Sequence, residues 1–193
     1  MFTGIIEEIG TVSRLERSYP VEKLTIKTEI LTCDMRIGDS ISVDGVCLTV
    51  TRYDAESFQA DVQEETVRRT VFASYRAGTR VNLERALTPV SRMGGHYVQG
   101  HIDGVGTVTA WHLEGRDWVL KINVPAEIRT YLVEKGFIAV NGISLTITAM
   151  KNDCSIHVIP HTREHTTLQY LHTGSAVNLE ADIIAKYVES LIR

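Results

Sequence analysis

VDGVCLTV at residues 43–50 and VNGISLTI at residues 140–147 are nearly the same eight residues written twice. In each, β-branched and apolar residues flank a two-residue turn signal, DG or NG, a pattern that predicts a β-hairpin. Moved by 97 residues, SISVDGVCLTV (40–50) lies on FIAVNGISLTI (137–147). Moved by 96, GIIEEIGTV (4–12) lies on GHIDGVGTV (100–108), with five of nine positions identical. The same shift lays TVRRTVFASYRAGTRVNLE (66–84) on TREHTTLQYLHTGSAVNLE (162–180), where seven of nineteen match and both end in VNLE. A period of half the chain, with an offset that drifts by one residue, marks an internal duplication.

The rest of each copy is strand-like. IGTVSRL, LTIKTEI, FQADV and SIHVI alternate apolar and polar residues, as half-buried strands do. Helices are expected in TVRRTVFASY before Gly78, in TTLQYL before Gly174, and in PAEIRTYLVEKG, with Pro125 at the first turn and Gly136 at the stop. About six short strands per copy favour a closed barrel, because closure removes exposed edges. The expected fold is therefore all-β: two tandem six-stranded Greek-key-like barrels at residues 1–90 and 97–182. Pro89 and Gly94–Gly95 mark the linker. Residues 181–193 read ADIIAKYVESLIR, a C-terminal helix being expected over 183–193, with apolar residues at 183, 184, 187, 188, 191 and 192. That is one stripe of an amphipathic helix, which either meets other copies of the chain or folds back on its own barrel.

Composition excludes several function classes. The 193 residues carry a formal charge of −4 without a dense basic run, so no nucleic-acid surface is expected. No apolar stretch is long enough to span a membrane, and the N-terminus lacks the layout of a secretory signal. Three cysteines without CxxC spacing fit reduced thiols and a cytoplasmic setting. His157, His161 and His165 have helical spacing, but Pro160 stands among them and interrupts an early helix. No acidic or cysteine partner is arranged with them, so no metal site is expected.

Taken together, MFTGIIEEIG, GVCLTV, VNLERAL, GGHYVQGHIDG, KGFIAVNGISLTI and IPHT followed by VNLEAD resemble the riboflavin synthases over the whole chain. The resemblance implies conversion of two 6,7-dimethyl-8-ribityllumazine molecules into riboflavin and 5-amino-6-ribitylaminouracil by transfer of a four-carbon fragment. It implies no metal or bound cofactor. It also implies a homotrimer, with each site between the first barrel of one subunit and the second barrel of its neighbour, and with the last helix at the trimer contact. Nothing in the sequence bears on an association with lumazine synthase.

By the repeat, three pieces should line each pocket. Gly4, Ile5 and Ile6 correspond to Gly100, His101 and Ile102. Cys47, Leu48 and Thr49 correspond to Ser144, Leu145 and Thr146. Glu64, Glu65 and Thr66 correspond to Pro160, His161 and Thr162, with Ile159 ahead of them. Apolar walls with a few placed donors and acceptors suit a heteroaromatic ligand with a polyol tail. Lys135 and Glu65 are candidates for its hydroxyls. Two bound copies of one substrate require unlike surroundings, and the unlike positions are Cys47 against Ser144, Ser40 against Phe137, Ile5 against His101, and Ala86 against Asp182.

By resemblance, His101 is the candidate base for the acidified C7 methyl of the lumazine, and Cys47 a candidate nucleophile. Water and a ribityl hydroxyl remain open as alternatives, as does packing alone for Cys47. Ser40 matches a site serine. Asp182 fits both a helix N-cap and a site aspartate. Phe2 matches an aromatic that packs near the ligand, which requires the N-terminus to dock. Lys186 and His96 read as structural or solvated, and Trp111 and Trp118 as flanking a hairpin. Three other readings are a non-catalytic ribityllumazine- or flavin-binding relative, a flavin-dependent reductase and a purely structural duplicated barrel. The complete set in both copies argues against the first, the lack of a Gly-rich phosphate loop against the second, and the asymmetric substitutions, which it leaves unexplained, against the third. Which barrel takes the donor substrate stays open.

Overall fold

Each copy's alternating runs close into a barrel of their own. The computed structural model describes residues 1–17 and 21–192. The first barrel comprises β1 (Glu8–Glu16), β2 (Val21–Lys27), β3 (Ser40–Val43), β4 (Val46–Tyr53), β5 (Ser57–Gln63) and β6 (Arg80–Arg85). The second comprises β7 (Gly104–Glu114), β8 (Asp117–Asn123), β9 (Phe137–Val140), β10 (Ile143–Met150), β11 (Cys154–Val158) and β12 (Ala176–Ala181). The strand orders are β1-β2-β5-β4-β3-β6 and β7-β8-β11-β10-β9-β12, both closed and antiparallel, so the topology is duplicated with the sequence. Inward positions fill each interior: Leu24, Ile26, Leu48, Val50 and Leu83 in one, and Leu120, Ile122, Leu145, Ile147 and Leu179 in the other.

The expected helices are shorter than their sequence suggests. The first splits into α1 (Glu64–Arg69) and a 3-10 turn over Val71–Ser74. Thr70 is the break. Its hydroxyl donates back to the Thr66 carbonyl and accepts from Phe72 N–H, while Val71 N–H donates to Asn178 of the other barrel. TTLQYL forms a 3-10 turn over Thr167–Tyr170 that Thr166 caps in the same way. In PAEIRTYLVEKG the helix α2 covers only Ala126–Arg129, since Tyr131 and Leu132 N–H bond three residues back, to the Ile128 and Arg129 carbonyls, and the α-helical ladder stops there. Pro160 does not interrupt a helix. It is the first residue of α3 (Pro160–Glu164), where its missing N–H costs nothing. His157 consequently lies on β11, and His161 stacks on His165. No metal-binding cluster is present among the described residues. Trp111 and Trp118 do flank a hairpin, β7–β8, with ring centroids 5.0 Å apart.

The two barrels meet at the repeated turns. Gly45 and Gly142 lie backbone to backbone, and a Cβ on Gly45 would stand 2.7 Å from the Gly142 nitrogen. The repeated VNLE explains the clasp. Its Val and Leu enter their own barrel's core, while its Asn crosses the seam. Asn82 donates to the Asn141 carbonyl and accepts from Thr167 N–H, and Asn178 donates to the Asp44 carbonyl and accepts from Val71 N–H.

Asp44 breaks the symmetry, because Asn141 occupies its place in the second copy. The Asp44 carboxylate accepts from the Tyr75 hydroxyl at 2.5 Å and from Asn82 N–H at 2.8 Å. Burial pushes its pKa up to about 7, and the two donors pull the other way. Between about pH 4 and 7 the folded chain therefore holds a proton that the unfolded chain releases, and folding stability should fall as pH rises through that window. Asp44→Asn, which copies the second repeat, should remove this component. In melting experiments the gain of the variant over the parent should grow from pH 5 to pH 8. An equal difference at both pH values would refute the assignment.

Helix α4 (Ile183–Ile192) follows β12. Asp182 caps it, its carboxylate accepting from Ile184 N–H at 2.9 Å. Lys186, half-buried, pairs with Asp103 at 2.7 Å and ties one side of the helix to the second barrel. The apolar stripe does not fold back. Ile184, Tyr187, Val188, Leu191 and Ile192 are all exposed. Arg193, the last residue of the expected helix, lies outside the described residues.

Candidate functional site

The repeated LT strands are where each barrel leaves an edge open. β4 pairs with β3 from Val46 to Thr49, but its ladder with β5 starts only at Val50. β10 does the same, pairing with β9 through Thr146 and with β11 only from Ile147. Cys47 N–H points to the open side, where it donates to the Gly100 carbonyl at 2.9 Å. Strand alternation puts the Thr49 backbone groups on that same edge. Ser144 N–H likewise donates to the Gly4 carbonyl at 2.8 Å, and Thr146 shares its edge. Side chains alternate too. Leu48 and Leu145 are buried in the cores, whereas Cys47, Thr49, Ser144 and Thr146 face outward. Running the register on from Val50–Ala60 sets Cys47–Thr49 opposite Asp61–Gln63, the end of β5, and Glu64, Glu65 and Thr66 follow directly as the start of α1. In the second copy the same step from Ile147–Ile156 sets Ser144 opposite Ile159, and Pro160, His161 and Thr162 follow as the start of α3.

The segments leading into β1 and β7 change places. Gly4 packs on Ser144 of the second barrel, and Ile6 on that barrel's core. Gly100 packs on Cys47 of the first barrel, and Ile102 on its core. Both glycines have positive φ, +77° and +85°, and a Cβ on either would come within 2.6 Å of the facing Cβ, so no larger residue fits. Each open edge is thus completed by the other repeat. Cys47, Leu48, Thr49, Gly100, His101 and Ile102 form one group. Ser144, Leu145, Thr146, Gly4, Ile5 and Ile6 form the other.

The glutamates that end the two VNLE runs hold these leaders. Glu84, 4% exposed, accepts from Thr3 N–H, the Thr3 hydroxyl and Gly4 N–H at 2.7–3.0 Å. Glu180, 1% exposed, accepts from the N–H groups of Gln99, Gly100 and His101 at 2.6–2.9 Å. Burial raises both pKa values and the N–H donors counteract it. Sequence reading missed these residues as site supports. The signal was available: an acidic residue recurs at the end of an apolar strand.

Phe2 is fully buried, as a docked N-terminus requires. It exchanges backbone hydrogen bonds with Val98 at 2.7 and 3.1 Å and packs with Val98 and Ala139 against Cys47 and Ala86. Cys47 therefore has an apolar flank. His101 is exposed, its backbone fixed by Glu180. Glu65 is engaged by Arg68 and Arg69. Lys135 is exposed beside β9. Ser40 faces Thr49 across the β3–β4 pair. It also lines a cavity of about 580 Å³ with Thr3, Ile5, Arg85 and Arg92, which includes neither Cys47 nor His101.

Of its two readings, structural and solvated, His96 fits the first. It is 6% exposed, its ring lies parallel to Phe137 with centroids 5.1 Å apart, and its Nδ1 is 2.7 Å from the Ser144 hydroxyl. Burial lowers its pKa, and the negative charge of Asp182 acts in the opposite sense.

Residues 3–86 and 99–182 each match the lumazine binding domain family. The chain is 46% identical along its full length to the riboflavin synthase of Mycobacterium tuberculosis (strain ATCC 25618 / H37Rv), covering 98% of it. It is 43% identical to that of Photobacterium leiognathi, again over its full length and covering 89% of that protein. Among solved structures, LumP complexed with 6,7-dimethyl-8-(1'-D-ribityl) lumazine superposes with a TM-score of 0.83 at 27% identity, over 94% of this chain and 99% of that one. LumP complexed with riboflavin gives 0.84 at the same identity and coverage.

Proposed function

Because this chain belongs to the riboflavin synthase family of duplicated lumazine-binding proteins, we propose that its two open edges bind the two ribityllumazine molecules that the reaction consumes. The chain is a transferase that forms riboflavin. The observation that carries the assignment of the edges is their pairing: matched backbone geometry, unmatched side chains, and a leader lent by the opposite repeat. One ring lies along Cys47–Thr49 under His101 and Ile102, and the other along Ser144–Thr146 under Ile5 and Ile6. LumP, which superposes on both repeats, is a lumazine and flavin binder by its own complexes.

The reaction joins two copies of one compound, and a four-carbon fragment passes from one to the other. Fixing both reactants in register supplies up to roughly 7–11 kcal/mol of the barrier reduction. His101, exposed on a leader that three N–H contacts hold still, takes a proton from the C7 methyl of the ring on the first edge. Thr49, Thr146 and the free backbone groups of the two edges orient the rings, and Glu65 and Lys135 meet the ribityl hydroxyls. Ser40 and Asp182 stand beside the rings rather than under them.

The edges of one chain open outward, so two rings meet only when chains associate. The bare apolar stripe of α4 supplies the means, and a trimer brings the first barrel of one subunit against the second barrel of the next. Truncation after Asp182 should reduce the mass measured by light scattering to that of smaller species and depress turnover, with ligand binding per chain better preserved. A truncated chain of unchanged mass would refute this role for α4. The protein belongs in the cytoplasm by this reading, and no described helix is long and apolar enough to cross a membrane.

The direct test is incubation of the purified chain with 6,7-dimethyl-8-ribityllumazine and no additive. One riboflavin and one 5-amino-6-ribitylaminouracil should appear for every two substrate molecules lost. Tight binding without product would instead make the chain an accessory binder.

A further inference from the structure

His96 lies just ahead of the second repeat's leader, four residues before Gly100. Its surroundings fix it on every side. The backbone N–H donates to the Thr3 carbonyl at 3.1 Å, the ring lies flat on Phe137, and Nδ1 meets the Ser144 hydroxyl at 2.7 Å. Nε2 is buried and has no hydrogen-bond partner among the described residues.

The orphan atom chooses the tautomer. Buried orphan N–H groups are rarer in native structures than under-satisfied acceptors, so the lone pair belongs on Nε2 and the hydrogen on Nδ1. Nδ1–H then donates to the Ser144 oxygen. Ser144 cannot return its own hydrogen to His96 and must direct it elsewhere. Its side chain is on the outward face of β10, beside the edge that β11 leaves open.

We propose that His96 is a positioning residue that makes Ser144 an obligate hydrogen-bond donor toward the ligand on the second barrel's edge. The ligand it selects is a heteroaromatic ring with a carbonyl oxygen or unprotonated ring nitrogen at that place. A ring with an N–H there would leave two donors facing each other, which a buried site rejects. Cys47, the counterpart of Ser144, lies beside Phe2 in an apolar cluster. The pair of edges is therefore asymmetric in kind: a directed hydroxyl on one and a thiol with an apolar flank on the other. The identity of the ring rests on the function proposed above.

The test is a set of variants read by fluorescence titration with 6,7-dimethyl-8-ribityllumazine and by KM and kcat. His96→Phe keeps the stacking surface and removes the donor. It should weaken binding and raise KM by about tenfold, the size of one lost hydrogen bond. In His96→Asn the amide nitrogen occupies the place of Nδ1, and affinity should recover most of the way. His96→Gln places its amide where Nε2 was, and should not recover. His96→Phe combined with Ser144→Ala should be no worse than Ser144→Ala alone. Asn and Gln variants that behave alike, or Phe and Ala effects that multiply, would overturn the proposal. The Asn–Gln comparison decides the matter even if the Phe variant does not fold. A parent chain that binds ribityllumazine without forming riboflavin would defeat the functional reading and leave the binding test of His96 intact.

Discussion

Deleting residues 1–4 should abolish measurable riboflavin formation, a loss on the order of a hundredfold or more, in a chain whose two barrels still form. The reason is how much the four residues hold. Phe2 is fully buried across the barrel seam, and its removal is equivalent to a core Phe→Ala change, which costs about 3–5 kcal/mol. Thr3 and Gly4 supply the three donors to Glu84, so deletion strands a buried carboxylate. The Gly4 carbonyl satisfies Ser144 N–H, so deletion also frees the second barrel's edge to collapse. Phe2→Ala should reproduce part of the loss and Phe2→Leu less of it. Circular dichroism should show the strands retained, while melting temperature and turnover both fall. A truncated chain with full turnover would show that the docked terminus is ornamental.

Glu180→Ala is expected to have the second largest effect. Its carboxylate is the common acceptor for the N–H groups of Gln99, Gly100 and His101. Three buried or half-buried donors lose their partner, at about 1–3 kcal/mol each where water cannot replace it. The larger consequence is positional. The leader carrying His101 and Ile102 completes the first barrel's edge, although Glu180 belongs to the second barrel. Titration should therefore show the loss at the Cys47–Thr49 edge, with binding falling from two ribityllumazines per chain toward one. Glu84→Ala should remove the other site by the same logic. Glu180→Gln should not rescue, because its amide adds a donor where three donors already converge. Equal weakening of both sites by either substitution would contradict the exchange of leaders.

Much of this molecule could be read from its sequence because duplication turned one chain into its own comparison. Repeated hairpin words located β3–β4 and β9–β10, and alternation located β1, β2, β5 and β11, since the period of a half-buried strand is a local property. Phe2 was legible as docked, since an aromatic at a chain end has little reason to be there otherwise. The exchange of leaders was not legible. Repeats report which residues correspond, not which surfaces abut, and Gly4 against Ser144 is a contact between residues 140 positions apart. The helices were overestimated because Thr70 and Thr166 read as ordinary helical residues. In the fold, their hydroxyls donate to the Thr66 and Thr162 carbonyls and cap a tighter turn. His96 was read only as structural or solvated, because its contact with Ser144, 48 positions away, is one no local pattern reports. Asn82 and Asn178 were visible as part of VNLE. Their reach across the seam depends on two turns meeting back to back, which no local pattern encodes.

The lending of leaders ties the history of the two halves together. A change in the first few residues is felt where the second half holds its ring, and a change just before β7 is felt where the first half does. Neither half can drift, specialise or be transplanted by itself, since each carries a piece of its neighbour's workplace. Chimeras of two such proteins joined at the linker would pair every edge with a foreign leader, and should fail unless residues 4 and 144, and 47 and 100, are inherited from the same parent.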